Sequence, residues 1–283
     1  MNKTLFAAAA LALLPLAAHA QNLVSAAPVT IAQDNAGNAA YAGGSYAGQN
    51  GGTGFGAFTV ATSVGTPASA FAGSFVGDAT GSENGSGGGI NTGGKSFGTY
   101  ANGTSTGAGD PSVTVSRTFA VGPATGGSFS LDFLSGYNDG ANGGGSASVA
   151  LTNALGAFGT FAYQSNNTYT FNGAAITGQG YTNGPIHLVY NITSATTYSL
   201  LETGPFSFTG AGTFAGAITG FQVQQANSNN GGGDHDAFFN NLKETAAAPA
   251  AVPEASTTVS LGLLLALGLG GFALAARKRS VTA

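Results

Sequence analysis

The sequence predicts an all-β protein, an antiparallel β-sandwich or jelly roll with an N-terminal signal-peptide helix on one side and a single C-terminal transmembrane helix on the other. Three observations predict it. From Ser112 onward, short stretches alternate apolar and polar residues and are separated by Gly, Asn, Pro or Asp clusters. Nineteen Phe and nine Tyr are spread along the body, enough aromatic surface to form a core despite 48 glycines and only 6% charged residues. Outside the two ends, no window combines helical apolar spacing with helix-forming composition.

At the N-terminus, Lys3 precedes an uncharged run from Leu5 to Ala18, and Ala18-His19-Ala20 forms an Ala-x-Ala site before Gln21. This is the pattern of a secretory signal peptide spanning residues 1–20, with signal peptidase as the expected partner and Gln21 as the mature N-terminus. His19 is therefore excluded from any site.

The stretch from Asn35 to Gly109 is rich in Gly, Ala and Ser, and two readings compete for it. One is a flexible linker. The other is a set of strands joined by long Gly loops, marked by Phe55, Phe58 and Val60, then Phe71, Phe75 and Val76, then Phe97 and Tyr100. The regular placement of the aromatic residues favours strands, with Gly81 to Gly89 as the loop.

About ten further strands follow. They centre on Val113 and Val115, Phe129 to Phe133, Val149 and Leu151, Phe158 to Tyr163, Tyr169 and Phe171, Ile186 to Ile192, Tyr198 to Leu201, Phe206 and Phe208, Phe214 to Val223, and Phe238 to Leu242. Strands this short and this regularly spaced suit a sandwich domain over 33–245.

Beyond it, 246–258 reads as a linker, and Val259 to Ala276 as an uncharged apolar run that reaches ~27 Å as a helix, close to the bilayer hydrocarbon thickness. Arg277-Lys278-Arg279 follows directly, so the positive-inside preference keeps 277–283 cytoplasmic and the body outside.

The order of Val252-Pro253-Glu254-Ala255-Ser256-Thr257, a single span and Arg277-Lys278-Arg279 resembles the PEP-CTERM sorting signal of Gram-negative bacteria, with Pro-Glu-Ala in place of Pro-Glu-Pro. The resemblance implies an exosortase that cuts near Pro253-Glu254, after transient anchoring in the inner membrane with the body periplasmic. A second resemblance rests on Asn50-Gly51-Gly52-Thr53-Gly54-Phe55-Gly56-Ala57-Phe58, Ile90 to Asn102, Phe129 to Phe133 and Asp236-Ala237-Phe238-Phe239-Asn240-Asn241-Leu242. These segments look like exported Gly-rich, lectin-like β-sandwich domains, which implies a jelly roll whose last strand, near Phe238, returns beside the first.

Between Gln21 and Pro253 the basic residues are Lys95, Arg117 and Lys243, against ten Asp and Glu, so the exported body is acidic and carries no basic stripe for nucleic acid. There are no cysteines, which excludes disulfides, thiolate metal ligands and a cysteine nucleophile. Asp234-His235-Asp236 after three glycines places two carboxylates in a loop, making Asp234 and Asp236 candidate calcium ligands, although a solvated loop leading into the final strand is the better account of them. No other cofactor is expected. Asn138-Asp139-Gly140 suits a tight turn.

Glycoside hydrolysis needs two facing carboxyl groups, and Asp132, Asp139, Glu202, Asp234 and Asp236 are available without a readable pairing. Asp132, between Leu131 and Phe133, and His187, beside Ile186 and Leu188, read as outward strand positions. No nucleophile elbow accompanies His187 or His235. Tyr137, Tyr163, Tyr181 and Tyr190 are candidate sugar-stacking platforms where exposed, although core or hairpin packing accounts better for each taken singly. The function expected is non-enzymatic: a cell-surface or extracellular-matrix protein with a structural or adhesive role associated with exopolysaccharide. A lectin-like carbohydrate-binding module is the alternative, and a glycoside hydrolase the third.

Overall fold

Period-two alternation places every second side chain on one face, and here two antiparallel sheets bury those faces against each other. The computed structural model describes residues 27–64, 70–81, 87–103, 111–138, 145–227 and 235–248. The signal-peptide segment, the sorting motif, the apolar run 259–276 and Arg277 to Arg279 lie outside the described residues, as do Asp139 and Asp234. Among the described residues no helix is long and apolar enough to cross a membrane.

In chain order the strands are β1 (Val29–Asp34), β2 (Thr59–Ser63), β3 (Phe71–Gly77), β4 (Ser96–Asn102), β5 (Ser112–Thr118), β6 (Ser128–Leu134), β7 (Ser146–Asn153) and β8 (Gly156–Gln164). They continue with β9 (Thr168–Phe171), β10 (Ala174–Ala175), β11 (Ile186–Ile192), β12 (Thr197–Thr203), β13 (Phe208–Thr213), β14 (Ile218–Ala226) and β15 (Ala237–Ala246). One sheet runs β13-β12-β11-β6-β15-β4-β3, with β1 also on β15; the other runs β10-β9-β8-β7-β14-β5-β2. The compact unit spans Pro28–Ala247.

The strand reading of the Gly-rich region is the correct one, since β2, β3 and β4 pair within the sheets. Two expected segments shift. Phe206 precedes β13, and Phe214 precedes β14 because its ring stacks on Phe158 at 5.3 Å instead of entering the ladder. The sequence pattern also missed β1, for a physical reason. Its inward residues are small or charged, Ala32 and Asp34, whereas Val29 and Ile31 are exposed, so its hydrophobic pattern is the reverse of a half-buried strand.

Aromatic side chains fill the space between the sheets. Phe129 stacks on Phe221 at 4.7 Å, with Phe55 and Phe119 around them, and Tyr41, Tyr46, Phe58, Phe97 and Phe239 form an adjoining cluster of mostly edge-to-face contacts. Such pairs add about 0.5–1.5 kcal/mol each beyond simple area burial. Apart from Arg117, the largest fully buried side chains among the described residues are all Tyr and Phe.

β15 holds the first sheet together. One of its edges pairs with β6, while the other pairs first with β4 over Ala237–Phe239 and then with β1 over Leu242–Ala246. The gap between β4 and β1 falls at Asn240 and Asn241, where the register against β6 slips. Buried Asn240 fills it: its Nδ2 donates to the carbonyls of Ile90 (2.7 Å) and Lys95 (3.0 Å), and its Oδ1 accepts from the Ala36 amide (2.9 Å). Asn241 takes a φ of 54°, a left-handed conformation that Asn tolerates better than other non-Gly residues.

Candidate functional site

The outward face of the β6, β11 and β15 sheet carries a row of paired polar residues. Thr203, His187, Asp132 and Asn240 stand opposite one another on β12, β11, β6 and β15. The next row contains Leu201, Val189, Ser130, Lys243 and Gln33, and the one after it Ser199, Asn191, Ser128, Thr245 and Thr30. Asp132 and His187 face outward, as the alternation predicts, and they pair: His187 Nδ1 lies 2.7 Å from Asp132 Oδ1. Asn241 Nδ2 donates to the other Asp132 oxygen at 2.7 Å, and Thr92 Oγ1 donates to Asn241 Oδ1 at 2.7 Å. The result is a four-residue polar chain with the His187 ring at its open end.

Asn241 also lines a groove of about 390 Å³ between β1, the 50–53 loop and the second half of β15. Gln33, Asn35, Asn38, Thr53 and Lys243 provide its polar walls. Two features keep it open. A side chain on Gly52 would meet the Gln33 carbonyl at 2.3 Å, so only glycine allows the loop to approach β1 this closely. The wall beneath is fixed by Asp34, whose carboxylate is fully buried against Arg117 Nη1 at 2.5 Å and accepts further hydrogen bonds from Asn38 Nδ2, the Asn35 amide and the Tyr41 hydroxyl. Arg117 is itself fully engaged. Its Nε donates to the Gly56 carbonyl at 2.7 Å, its other terminal nitrogen donates to Asn50 Oδ1, and its guanidinium lies over the Phe55 and Phe58 rings at 4.7 and 4.3 Å. Burial, reinforced by the Asp34 carboxylate, raises the Tyr41 phenol well above its ordinary range, which keeps it a proton donor.

The other sequence-derived candidates fall elsewhere. Glu202 points inward from β12, buried, with Gln179 Nε2 donating to it at 2.8 Å; desolvation raises its pKa. Asp132 and Glu202 thus occupy opposite faces of one sheet and do not form a facing pair. Two of the four candidate platforms are core residues, in keeping with the packing reading. Tyr163 and Tyr190 are completely buried, because the interior supplies partners for their hydroxyls: Asn167 for Tyr163 and the Val149 carbonyl for Tyr190. Tyr137 and Tyr181 are half-buried and meet edge-to-face at 5.2 Å, with His235 Nδ1 placed 2.6 Å from the Tyr137 carbonyl. Asp236 is half-buried beside them. Among the described residues no group of three or more His, Asp or Glu side chains is placed to hold a metal ion.

Sequence reasoning missed both the groove and the His187–Asp132 pair. The pair joins residues 55 apart and the groove joins β1 to β15, juxtapositions created by the sheet order. The one available signal was the Asn240-Asn241 dipeptide between the apolar residues Phe238-Phe239 and Leu242 of one strand.

No family model matches the chain, and no curated protein matches it. Among solved structures, the chain is similar to the carbohydrate esterase of the Shiga toxin-encoding bacteriophage phi24B at 15% identity and a TM-score of 0.41, over 78% of this chain and 100% of that one. It is similar to an alginate lyase from Corynebacterium sp. at 10% identity and a TM-score of 0.36, over 55% of this chain and 79% of that one. It is also similar to a family 11 carbohydrate-binding module from Clostridium thermocellum, solved with a β-1,3-1,4-mixed-linked tetrasaccharide, at 11% identity and a TM-score of 0.29, over 68% of this chain and 89% of that one. Likenesses of this size bear on neither ligand nor chemistry.

Proposed function

We propose that this is an exported, non-enzymatic protein of a Gram-negative envelope that is held briefly by its C-terminal tail, cut by an exosortase, and left at the cell surface or in the extracellular matrix. There its sandwich acts as an adhesive module for exopolysaccharide. The observation that carries the adhesive reading is the outward face of the β6, β11 and β15 sheet, where rows of Ser, Thr, Asn and Gln, interrupted by Leu201 and Val189, lead into the amide-lined groove beside Lys243. Such a surface offers many weak hydrogen bonds to a hydroxylated polymer that runs across the strands.

The export reading rests on the two chain ends and is compatible with the fold. β15 ends at Ala246, so cleavage near Pro253-Glu254 leaves the strand pairs of the described residues intact. The chain also enters and leaves the sandwich side by side, with Val29 opposite Ala246.

Intact-mass measurement of the secreted protein, followed by incubation with polysaccharides, tests both parts. The expected product begins at Gln21, lacks Arg277 to Arg279, and releases no new reducing ends or unsaturated termini from any polymer it binds. A product retaining those basic residues overturns the processing, and polymer cleavage overturns the non-enzymatic role.

A further inference from the structure

The charge distribution around the groove narrows the class of polymer. Only three Lys and Arg residues lie between Gln21 and Pro253. Arg117 is consumed inside the fold by Asp34. The other two gather at the β15 bulge: Lys243 is an exposed residue of the groove wall, and half-buried Lys95 accepts the Asn240 hydrogen bond through its carbonyl. His187 stands on the same face, one β6 strand away from β15.

Among the described residues the carboxylates on this face already have partners, and Glu244, next to Lys243, points into the interior instead. Asp34 is held by Arg117, Asn38 and Tyr41, and Asp132 by His187 and Asn241. At the sheet edge, Asp78 accepts from the Thr80 amide and Asn91. The groove itself is rich in donors. Gln33 is exposed directly opposite Lys243, and the Asn35 amide keeps its NH₂ after its oxygen accepts from the Gly37 backbone. An ammonium beside two side-chain amides complements a carboxylate or sulfate better than a neutral hydroxyl, since hydrogen bonds to a charged group are roughly twice as strong as neutral ones. Elsewhere the acidic body repels a polyanion, so the groove also fixes where such a polymer can approach.

We infer that the groove between β1 and β15 binds the acid group of an anionic polysaccharide, with Lys243 making the charged contact and Gln33 and Asn35 supplying amide donors. This rests on the adhesive reading above and deepens it.

The test measures binding of the full secreted protein to a polyuronate, a sulfated polysaccharide and a neutral glucan of matched length, at low and high salt. It compares the natural protein with Lys243→Ala and Lys243→Glu, both at an exposed position and both checked by thermal melting. The expected result is binding to one or both acidic polymers that weakens with salt, falls about tenfold in Lys243→Ala, the equivalent of about 1.4 kcal/mol, and is lost in Lys243→Glu. Equal binding of the glucan and the acidic polymers, or an unchanged affinity in Lys243→Glu, overturns the anionic assignment while leaving polysaccharide adhesion standing. Failure to bind any of the three polymers overturns both.

Discussion

Replacing Arg117 with alanine is expected to cost about 3–5 kcal/mol of folding stability, the range seen when one partner of a buried ion pair is removed. The cost has three sources. Asp34 keeps a charge with no cation beside it, the Gly56 carbonyl and Asn50 lose their donor, and a gap opens between the Phe55 and Phe58 rings. Set against the roughly 5–15 kcal/mol of total stability typical of such domains, this is a large share of the whole. Arg117→Lys should recover part of the loss, since it restores the charge without the Nε donor or the planar stack over the rings. The double variant Asp34→Leu with Arg117→Met should be more stable than either corresponding single substitution, because it removes the orphaned charge. Urea unfolding of the natural protein and these five variants, the two single substitutions included, checks this; a loss below about 1 kcal/mol in Arg117→Ala would show that the pair is not a keystone of the fold.

Stability should also fall as pH rises from about 4.5 to about 7, and Glu244→Gln should remove much of that fall. Glu244 faces the interior from β15, is fully buried, and neither carboxyl oxygen has a hydrogen-bond partner. Desolvation pushes its pKa from 4.5 to about 7. In that window the folded protein keeps a proton that the unfolded chain releases, so the contribution of Glu244 is most favourable below about pH 4.5, declines through the window and levels off above pH 7. The full effect is about 3 kcal/mol. Glu202, raised in the same direction by burial, adds a decline of the same sign. Urea midpoints at pH 5 and pH 7.5 should therefore converge in Glu244→Gln and converge further in the double variant with Glu202→Gln. An unchanged pH difference in both would remove these carboxyls as its cause.

Much of the sandwich was legible from alternation wherever large apolar residues faced inward. β11 has the bounds read from Ile186 to Ile192, because Ile186, Leu188, Tyr190 and Ile192 all point into the core. β1 escaped notice because its buried residues are Ala32 and Asp34, and Asp34 is tolerated there only by virtue of Arg117, 83 residues away. The same limit applies to the site. Asp132 and His187 could each be placed on an outward face, but their meeting depends on β6 lying beside β11, an order that local pattern does not encode. For tyrosine the pattern left two roles open, and the fold divides them: Tyr163 and Tyr190 find acceptors inside and are core residues, whereas Tyr137 and Tyr181 stay half-buried. Glu244, in a polar run at the end of its strand, gave no sign of facing inward.

The central claim is that the groove between β1 and β15 is where the sandwich meets polysaccharide, and hydrogen exchange with and without saturating acidic polymer tests it most directly. The account predicts slowed exchange confined to the groove segments 33–38, 51–53 and 241–243, with little change around Tyr137 and Tyr181 at the other aromatic surface. Protection centred on Tyr137 and Tyr181 instead, with segments 33–38 and 241–243 unaltered, would contradict it.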